Sequence, residues 1–207
     1  MTVDVQFHFP SFEFHLIPTL TFAFVVLAWW VFAGAFLFRK KPPKAPAAKK
    51  DPVSRVGIAL QGISYGIAWS LWRTPFTPIA PMPQPVEILL ALATMAISAA
   101  SVWITISAVR TLGKQWSYQA RLVKGHKLIV SGPYRLVRHP IYTGMFGKLL
   151  ATALAISHWM ALGPAVLIFA IGTAIRIRSE EKLLREAFGE DFAAYARYVP
   201  AVLPRLF

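Results

Sequence analysis

Four stretches of the chain carry no charged residue over lengths that suit membrane helices. Leu16 to Phe38, Val56 to Trp72 and Ile88 to Val109 are three of them, and Leu149 to Ile175 is the fourth. Because an α-helix rises about 1.5 Å per residue, about 20 apolar residues cross the hydrocarbon core of a bilayer. The first three stretches therefore predict three membrane-spanning helices.

The fourth stretch is long enough for one tilted span or for two short ones, and the basic residues decide between them. Lys and Arg cluster in Arg39 to Arg55, in Arg110 to Lys148 and from Arg176 onward. Basic loops mark the cytoplasmic side of a membrane protein. The three clusters share one side only if the stretch forms a hairpin that turns near Ser157 to Pro164. The sequence thus predicts five spans, an external N-terminus and a cytoplasmic C-terminus.

Composition agrees with a membrane protein and excludes several kinds of site. Hydrophobic residues make up 56% of the 207 residues and charged residues 15%, whereas soluble domains average about 25% charged residues. The net charge of +13 suits nucleic acid or an anionic membrane surface, and its position in the predicted cytoplasmic loops favours lipid headgroups. The absence of Cys excludes disulfides, thiolate nucleophiles and cysteine-ligated metal centres. We expect an all-α integral membrane fold.

The chemistry is predicted to lie after the third span, where Gly113 to Gly144 is dense in polar, aromatic and turn-forming residues. Gly132-Pro133 favours a turn. Pro140 can begin a helix because the N–H that it lacks would have no partner there, which places His139 at the helix entrance. Free backbone donors at such an entrance can hold a ligand carboxylate. The alternative is an ordinary turn at the membrane surface, and the residues alone leave both open.

A second polar cluster follows the predicted hairpin. Arg176 and Glu180 are four residues apart, as are Glu181 and Arg185, so each pair can meet on one helical face. These pairs could be surface ion bridges that contribute a few tenths of a kcal/mol. However, two adjacent carboxylates beside the bilayer also suit a ligand with ribose hydroxyls and positive charge. The hairpin would return this cluster to the neighbourhood of His139.

These motifs resemble the isoprenylcysteine carboxyl methyltransferase family, which is related to membrane phospholipid N-methyltransferases. The resemblance covers about Leu112 to Pro204. Its elements are Gly125-His126-x-Leu128, Gly132-Pro133-Tyr134-Arg135, Arg138-His139-Pro140-x-Tyr142-x-Gly144, the late hairpin, Glu180-Glu181, Phe188-Gly189 and Val199-Pro200 with Pro204.

The resemblance implies an S-adenosylmethionine-dependent methyltransferase with its cofactor pocket at the cytoplasmic face. A lipophilic acceptor would enter from the bilayer, and no metal would be required. Arg176 matches an arginine that faces the acceptor and is the candidate catalytic residue. The family's cofactor contacts match Gln119, His126, Lys127, Leu128, Ile129, Tyr134, His139, Pro140, Ile141, Tyr142 and Glu180.

The resemblance also implies a division of the chain. Residues 1–110 would form three N-terminal spans with the basic loop 39–55. Residues 111–207 would form the catalytic region, with a hairpin at about 141–175 and a C-terminal cytoplasmic helix. We expect a lipid or lipophilic small molecule and the bilayer as partners, and no nucleic acid.

The acceptor stays open among an isoprenylcysteine carboxylate, another lipid, an amine and a thiol. Eukaryotic members have a basic residue immediately before the closing Val199-Pro200, where this chain has Tyr198. This departure argues against prenylcysteine as the substrate. The compact chain, in which we recognise no eukaryotic targeting signal, suggests a bacterial member in the cytoplasmic membrane.

Two other functions are compatible with parts of the pattern. A membrane NADPH-dependent reductase of the sterol-reductase type has a similar helix entrance, but it typically places Asn where this chain has Ile141. A non-enzymatic scaffold would leave the polar residues after Gly113 unexplained. In the second span, Gly62 and Gly66 could pack helices or dimerise them, and we expect internal packing.

Overall fold

The computed structural model describes residues 15–38, 49–74, 77–118, 120–122, 125 and 127–204. Within them the chain is mainly helical, and its β-structure is a two-residue antiparallel pairing of Lys49–Lys50 with Arg121–Leu122 and an isolated antiparallel bridge between Trp72 and Ser157. The predicted all-α fold is therefore confirmed. The five α-helices are α1 (Leu16–Leu37), α2 (Ser54–Ser70), α3 (Gln84–Leu112), α4 (Pro140–Ile156) and α5 (Trp159–Tyr198), with short 3₁₀ turns at Gly113–Gln115 and Gly132–Arg135.

Three of these five helices, α1, α3 and α5, are long and apolar enough to cross a membrane by length and composition. Helices α2 and α4 have 17 residues each, which corresponds to about 25 Å at the usual helical rise. They are therefore slightly shorter than the hydrocarbon core of about 30 Å. The structure is an all-α membrane fold in which three of the five predicted spans have full spanning length.

Helices α4 and α5 form the predicted hairpin, which turns at Ser157 and His158. The turn is fixed to α2, because Ser157 Oγ donates to the Ala68 carbonyl at 2.6 Å. The second arm does not end near 175 as the hydrophobic pattern suggested. It continues to Tyr198 with a bend at Gly189, where φ is 49°. Ion pairs spaced four residues apart maintain the helix, so the change to polar residues at 176 marks a change of surroundings and not a helix end.

The helices alternate in direction, which gives the bundle two different ends. At one end, Arg73 donates to the carbonyl oxygens of Leu154 at 3.0 Å and Ala155 at 2.7 Å. These carbonyls belong to the last turn of α4 and have no partner within the helix. At the other end, Leu112 of α3 and His139 before α4 line a common cavity. Function must be sought at this second end.

The helices pack closely in two pairs through small residues. A Cβ atom placed on Gly57 of α2 would lie 2.6 Å from the carbonyl oxygen of Gly172 on α5. Likewise, a Cβ on Gly144 of α4 would lie 2.9 Å from the carbonyl oxygen of Ser101 on α3. Small residues let helix backbones approach in this way. Each arm of the hairpin is thus held by one helix from the N-terminal half of the chain.

The predicted internal packing through Gly62 and Gly66 is wrong. A Cβ atom on either glycine would meet no atom within 4 Å. The buried face of α2 instead contains Gly57, Gln61 and Ser64, at the spacing of three to four residues that one helix face requires. The sequence motif was present, but it lies on a different face of the helix.

Lys148 is also placed differently from the expectation that it belongs to a cytoplasmic basic cluster. It lies within α4 and is fully buried, where Nζ donates to the Val25 carbonyl at 2.9 Å and to Ser98 Oγ at 2.8 Å. A charged group inside a membrane bundle needs such partners. Lys148 therefore links α4 to α1 and α3.

We predict that Gly57→Ala destabilises the protein, whereas Gly66→Ala does not. The new methyl group at position 57 would lie 2.4 Å from Arg176 Cγ as well as against the α5 backbone, and overpacking of this kind costs about 1–3 kcal/mol. At position 66 the same change should be neutral or stabilise the helix by up to about 1 kcal/mol. Thermal unfolding in detergent measures both variants, and equal shifts would contradict the proposed close approach.

Candidate active site

A cavity of about 390 Å³ opens at the second end of the bundle. Nine of the ten predicted site residues within the described ranges line it, and Pro140 is the exception as the buried first residue of α4. Gln119 and His126 lie outside the described residues. The nine lining residues are Lys127, Leu128, Ile129, Tyr134, His139, Ile141, Tyr142, Arg176 and Glu180.

The entrance of α4 has the predicted form, with Pro140 as its first residue and His139 at the N-cap position. The C-terminal segment crosses this entrance. The backbone N–H of Arg138 donates to the Pro200 carbonyl at 2.8 Å, and that of His139 donates to the Ala201 carbonyl at 2.9 Å. The closing Val-Pro motif of the sequence therefore supports the helix entrance, although the two are far apart in the chain.

The adjacent carboxylates Glu180 and Glu181 both contact His139 but have different surroundings. His139 Nδ1 lies 3.3 Å from Glu180 Oε2, and His139 Nε2 lies 3.3 Å from Glu181 Oε1. Glu180 lines the cavity, where it also accepts a hydrogen bond from the Tyr142 hydroxyl. The predicted proximity of the two clusters is confirmed.

Both predicted ion pairs along α5 are present. Arg176 Nη2 lies 3.6 Å from Glu180 Oε1, and Arg185 Nη2 lies 3.2 Å from Glu181 Oε2. The second pair does not reach the cavity lining, while the first lies on it. Only the Arg176–Glu180 pair is therefore available to a ligand.

Burial and the two carboxylates act in opposite directions on His139. Burial by itself lowers the pKa of the imidazole, but hydrogen bonds and Coulomb attraction from Glu180 and Glu181 outweigh it, so the pKa is raised above its ordinary value of 6.5. A protonated imidazole can donate to both carboxylates at once. In its protonated form, His139 therefore links α4 to α5 as a cation.

Arg138 lines the cavity, and the predicted site residues did not include it. Its guanidinium donates to Glu181 Oε1 through Nε at 2.9 Å, and to the carbonyl oxygens of Ala196 at 3.0 Å and Val199. The planar group has five donors, so it can serve several acceptors together. Arg138 thereby engages Glu181 and leaves Glu180 as the carboxylate that faces the cavity.

Gln61 on α2 is a second residue that was missed. Arg176 Nη1 donates to Gln61 Oε1 at 3.1 Å, and Arg176 Nη2 donates to the Tyr118 carbonyl at 2.7 Å. The only signal in the sequence was an amide side chain within an otherwise apolar run. Its long-range partner could not be read from that run.

The remaining cavity wall is largely aromatic and aliphatic. The buried Trp116 packs against Tyr118 with ring centres 4.6 Å apart, and against Phe36 of α1 at 5.4 Å. Phe32, Ile58 and Tyr65 extend the apolar lining along α1 and α2. The N-terminal helices therefore contribute part of the site and do not serve only as an anchor.

The model of the phospholipid methyltransferase family matches residues 88–191, which is half of the chain. The chain belongs to this family. The match begins within α3 and ends within α5, so it includes every predicted site residue.

Individual relatives cover a similar region. The cobalt-zinc-cadmium resistance protein CzcN of Cupriavidus metallidurans is 39% identical over 104 residues, which are 46% of this chain and 44% of that protein. A probable protein-S-isoprenylcysteine O-methyltransferase of Oryza sativa subsp. indica is 33% identical over 99 residues, 47% of this chain and 52% of that protein. Protein-S-isoprenylcysteine O-methyltransferase B of Arabidopsis thaliana is 31% identical over 101 residues, with shares of 47% and 51%. The chain spans about half the length of the curated relatives it matches.

We predict that stability falls as pH rises above about 6.5, because of His139. A histidine whose pKa is raised in the folded state contributes stability that is complete below its unfolded-state value, and this contribution is lost as pH rises through the folded-state value. Thermal unfolding midpoints measured across this range should decline for the wild type. His139→Gln should flatten the decline, while His158→Gln, at the opposite end of the bundle, should keep it. An unchanged decline in His139→Gln would contradict the assignment.

Proposed function

We propose that the protein is an S-adenosylmethionine-dependent membrane methyltransferase that acts on a lipophilic acceptor. The observation that carries this proposal is the convergence of His139, Tyr142, Arg176 and Glu180 on one cavity. Family membership supports the reaction class, and it favours a methyltransferase over a reductase.

The cavity suits the chemical groups of S-adenosylmethionine. Its volume of about 390 Å³ falls within the usual range of ligand pockets, about 300–1,000 Å³. The Glu180 carboxylate can accept hydrogen bonds from ribose hydroxyls or an ammonium group, and aromatic faces such as that of Tyr142 attract cations. The segment Lys127 to Ile129 lies on the cavity wall outside any helix or strand. The Lys127 N–H donates to Gln115 Oε1 at 2.5 Å, so the backbone groups of Leu128 and Ile129 are the ones that can reach the ligand.

When bound, S-adenosylmethionine supplies an electrophilic methyl group. The protein's contribution is to position the acceptor and exclude water, and such positioning can account for a large part of the rate enhancement of a displacement reaction. Arg176 lies on the cavity wall with its guanidinium 4.9 Å from the centre of the Tyr142 ring, where it can orient an acceptor carboxylate or phosphate. Trp116 and Leu183 close other parts of the wall against solvent.

The lining from α1 and α2 supports a lipophilic acceptor. Phe32, Ile58 and Tyr65 provide an apolar surface continuous with the polar groups of the site. At Gly62, which also lines the cavity, a Cβ atom would meet nothing within 4 Å, so space is available for a hydrocarbon chain. An isoprenylcysteine carboxylate, another lipid, an amine and a thiol remain the acceptor classes.

We infer that the site end of the bundle faces the cytoplasm. Arg55 lies in the first turn of α2, Arg110 lies in the last turn of α3, and Arg178 follows the apolar part of α5, all at this end. Of the Lys and Arg residues that the structure describes outside the membrane-spanning segments, only Arg73 lies at the opposite end. Such asymmetry is typical of cytoplasmic surfaces.

We predict that Glu180→Gln weakens binding of S-adenosylhomocysteine about tenfold or more. Hydrogen bonds to a charged group contribute about 1.5–3 kcal/mol, and the amide would retain the size of the side chain without its charge. Calorimetric titration of the detergent-purified protein measures the affinity, with NADPH as a parallel ligand.

The matched control is Glu190→Gln, an exposed carboxylate on the same helix that does not line the cavity. It should bind S-adenosylhomocysteine as the wild type does. Wild-type binding of NADPH in place of S-adenosylhomocysteine would overturn the proposed function, and unchanged affinity in Glu180→Gln would overturn the site.

A further inference from the structure

We propose that Gln61 is a positioning residue that gives the site its preference for an acceptor with an anionic headgroup, a carboxylate or a phosphate. It does so by holding Arg176 with a neutral oxygen, which fixes the guanidinium without adding a second carboxylate to that of Glu180. This inference rests on the proposed function, and it assigns a role to a helix outside the matched region 88–191.

Among the hydrogen bonds that the structure shows for the Gln61 side chain, the one to Arg176 is the only one to a charged group. The Gln61 side chain is 2% exposed, and its Nε2 donates to Thr173 Oγ1 at 2.8 Å. Arg176 sets the orientation of the amide, because a guanidinium only donates and must face the amide oxygen, which leaves the amide nitrogen to face the Thr173 hydroxyl. Thr173 lies on α5 one turn before Arg176. The Gln61 side chain of α2 therefore binds two neighbouring positions of α5 at once.

Apart from Gln61, Arg176 contacts one neutral acceptor closely and one carboxylate at a longer distance. Its shortest hydrogen bond is to the uncharged Tyr118 carbonyl, whereas the Glu180 oxygen lies 3.6 Å away. That carboxylate is also shared with Tyr142 and His139. Within the described ranges, Arg176 Nε is buried without a hydrogen-bond partner, and a buried donor of this kind favours a ligand that can accept from it.

The charges around the cavity lead to the same conclusion. Glu181 is engaged by Arg138 and Arg185, and Glu180 is engaged by His139. Of the cations on the cavity wall that form ion pairs, Arg138 and His139 lie within 3.3 Å of a carboxylate oxygen, and Arg176 has the longest separation, 3.6 Å. Lys127 also lines the cavity, but it is exposed to solvent. A fixed cation beside an apolar lining recognises an amphiphile whose headgroup is negative, which narrows the acceptor classes to those with a carboxylate or phosphate.

The proposed preference for an anionic headgroup depends on residue 61 being glutamine. A glutamate there would keep the size and the hydrogen bond to Arg176, but it would form a full ion pair and cancel the positive charge. A methionine would keep the approximate volume and the charge of Arg176 but remove the bond that holds it. The two variants therefore separate charge from position.

The experiment measures binding of three amphiphiles with a common farnesyl tail to the full chain in detergent at saturating S-adenosylhomocysteine. The probes are a farnesyl thioether ending in a carboxylate, the same thioether ending in a primary amide, and farnesyl phosphate. The matched control is Ser64→Ala, which removes a buried hydrogen bond from α2 to the Ala165 carbonyl of α5 without touching the cavity lining.

The wild type should bind at least one anionic probe about tenfold more tightly than the amide, and the better anion identifies the headgroup. Gln61→Glu should abolish this preference by weakening only the anionic probes. Gln61→Met should weaken them several-fold without changing amide binding, and it decides the matter if Gln61→Glu does not fold. Ser64→Ala should keep the wild-type preference.

The inference is overturned if the wild type does not distinguish anion from amide or binds no probe. It is also overturned if Gln61→Glu keeps the preference, or if Gln61→Met weakens all probes equally, as a purely structural role would require. A wild type that fails to bind S-adenosylhomocysteine instead contradicts the proposed function, so the two failures are distinguishable.

Discussion

The candidate site depends on one buried electrostatic junction, in which His139 contacts Glu180 and Glu181 at the same time. The imidazole lies at the N-terminal end of α4, and the two carboxylates belong to consecutive residues of α5. Buried charges are tolerated only when they are paired and hydrogen-bonded. The junction therefore holds together the two arms of the hairpin at the end where the cavity opens.

The junction also separates the roles of two adjacent carboxylates. Arg138 directs its guanidinium to Glu181 and to carbonyl oxygens near the end of α5, so this carboxylate joins the C-terminal segment to the helix entrance. Glu180 is left on the cavity wall with Tyr142 and Arg176. A single charged cluster thus stabilises the fold and supplies polar groups for a ligand.

The N-terminal helices complete the site from outside the region that defines the family. Gly57 lets α2 approach α5 at Gly172, and this close packing brings Gln61 within hydrogen-bond distance of Arg176. Helix α1 adds Phe32 and Phe36 to the apolar lining. The candidate site therefore combines polar groups from the region that matches the family with an apolar lining from helices outside it.

Much of the fold could be predicted from local pattern, because apolar length and charge placement depend on neighbouring residues. The helix that begins at Pro140, the turn at Ser157 and the pairs Arg176–Glu180 and Glu181–Arg185 all follow from short-range rules. The continuation of α5 past residue 175 did not follow, because a drop in hydropathy reports the surroundings of a helix and not its end.

The sequence by itself determined an all-α membrane fold, its helical hairpin and the group of polar residues that resembles a methyltransferase site. Only the tertiary structure decided that Gly57 and not Gly62 packs α2 against α5, that Lys148 is buried among three helices, and that Gln61 holds Arg176. The physical reason is that spacing along one helix determines which residues share a face. Which neighbour that face meets depends on contacts between segments more than 100 residues apart in the chain, as with Gln61 and Arg176.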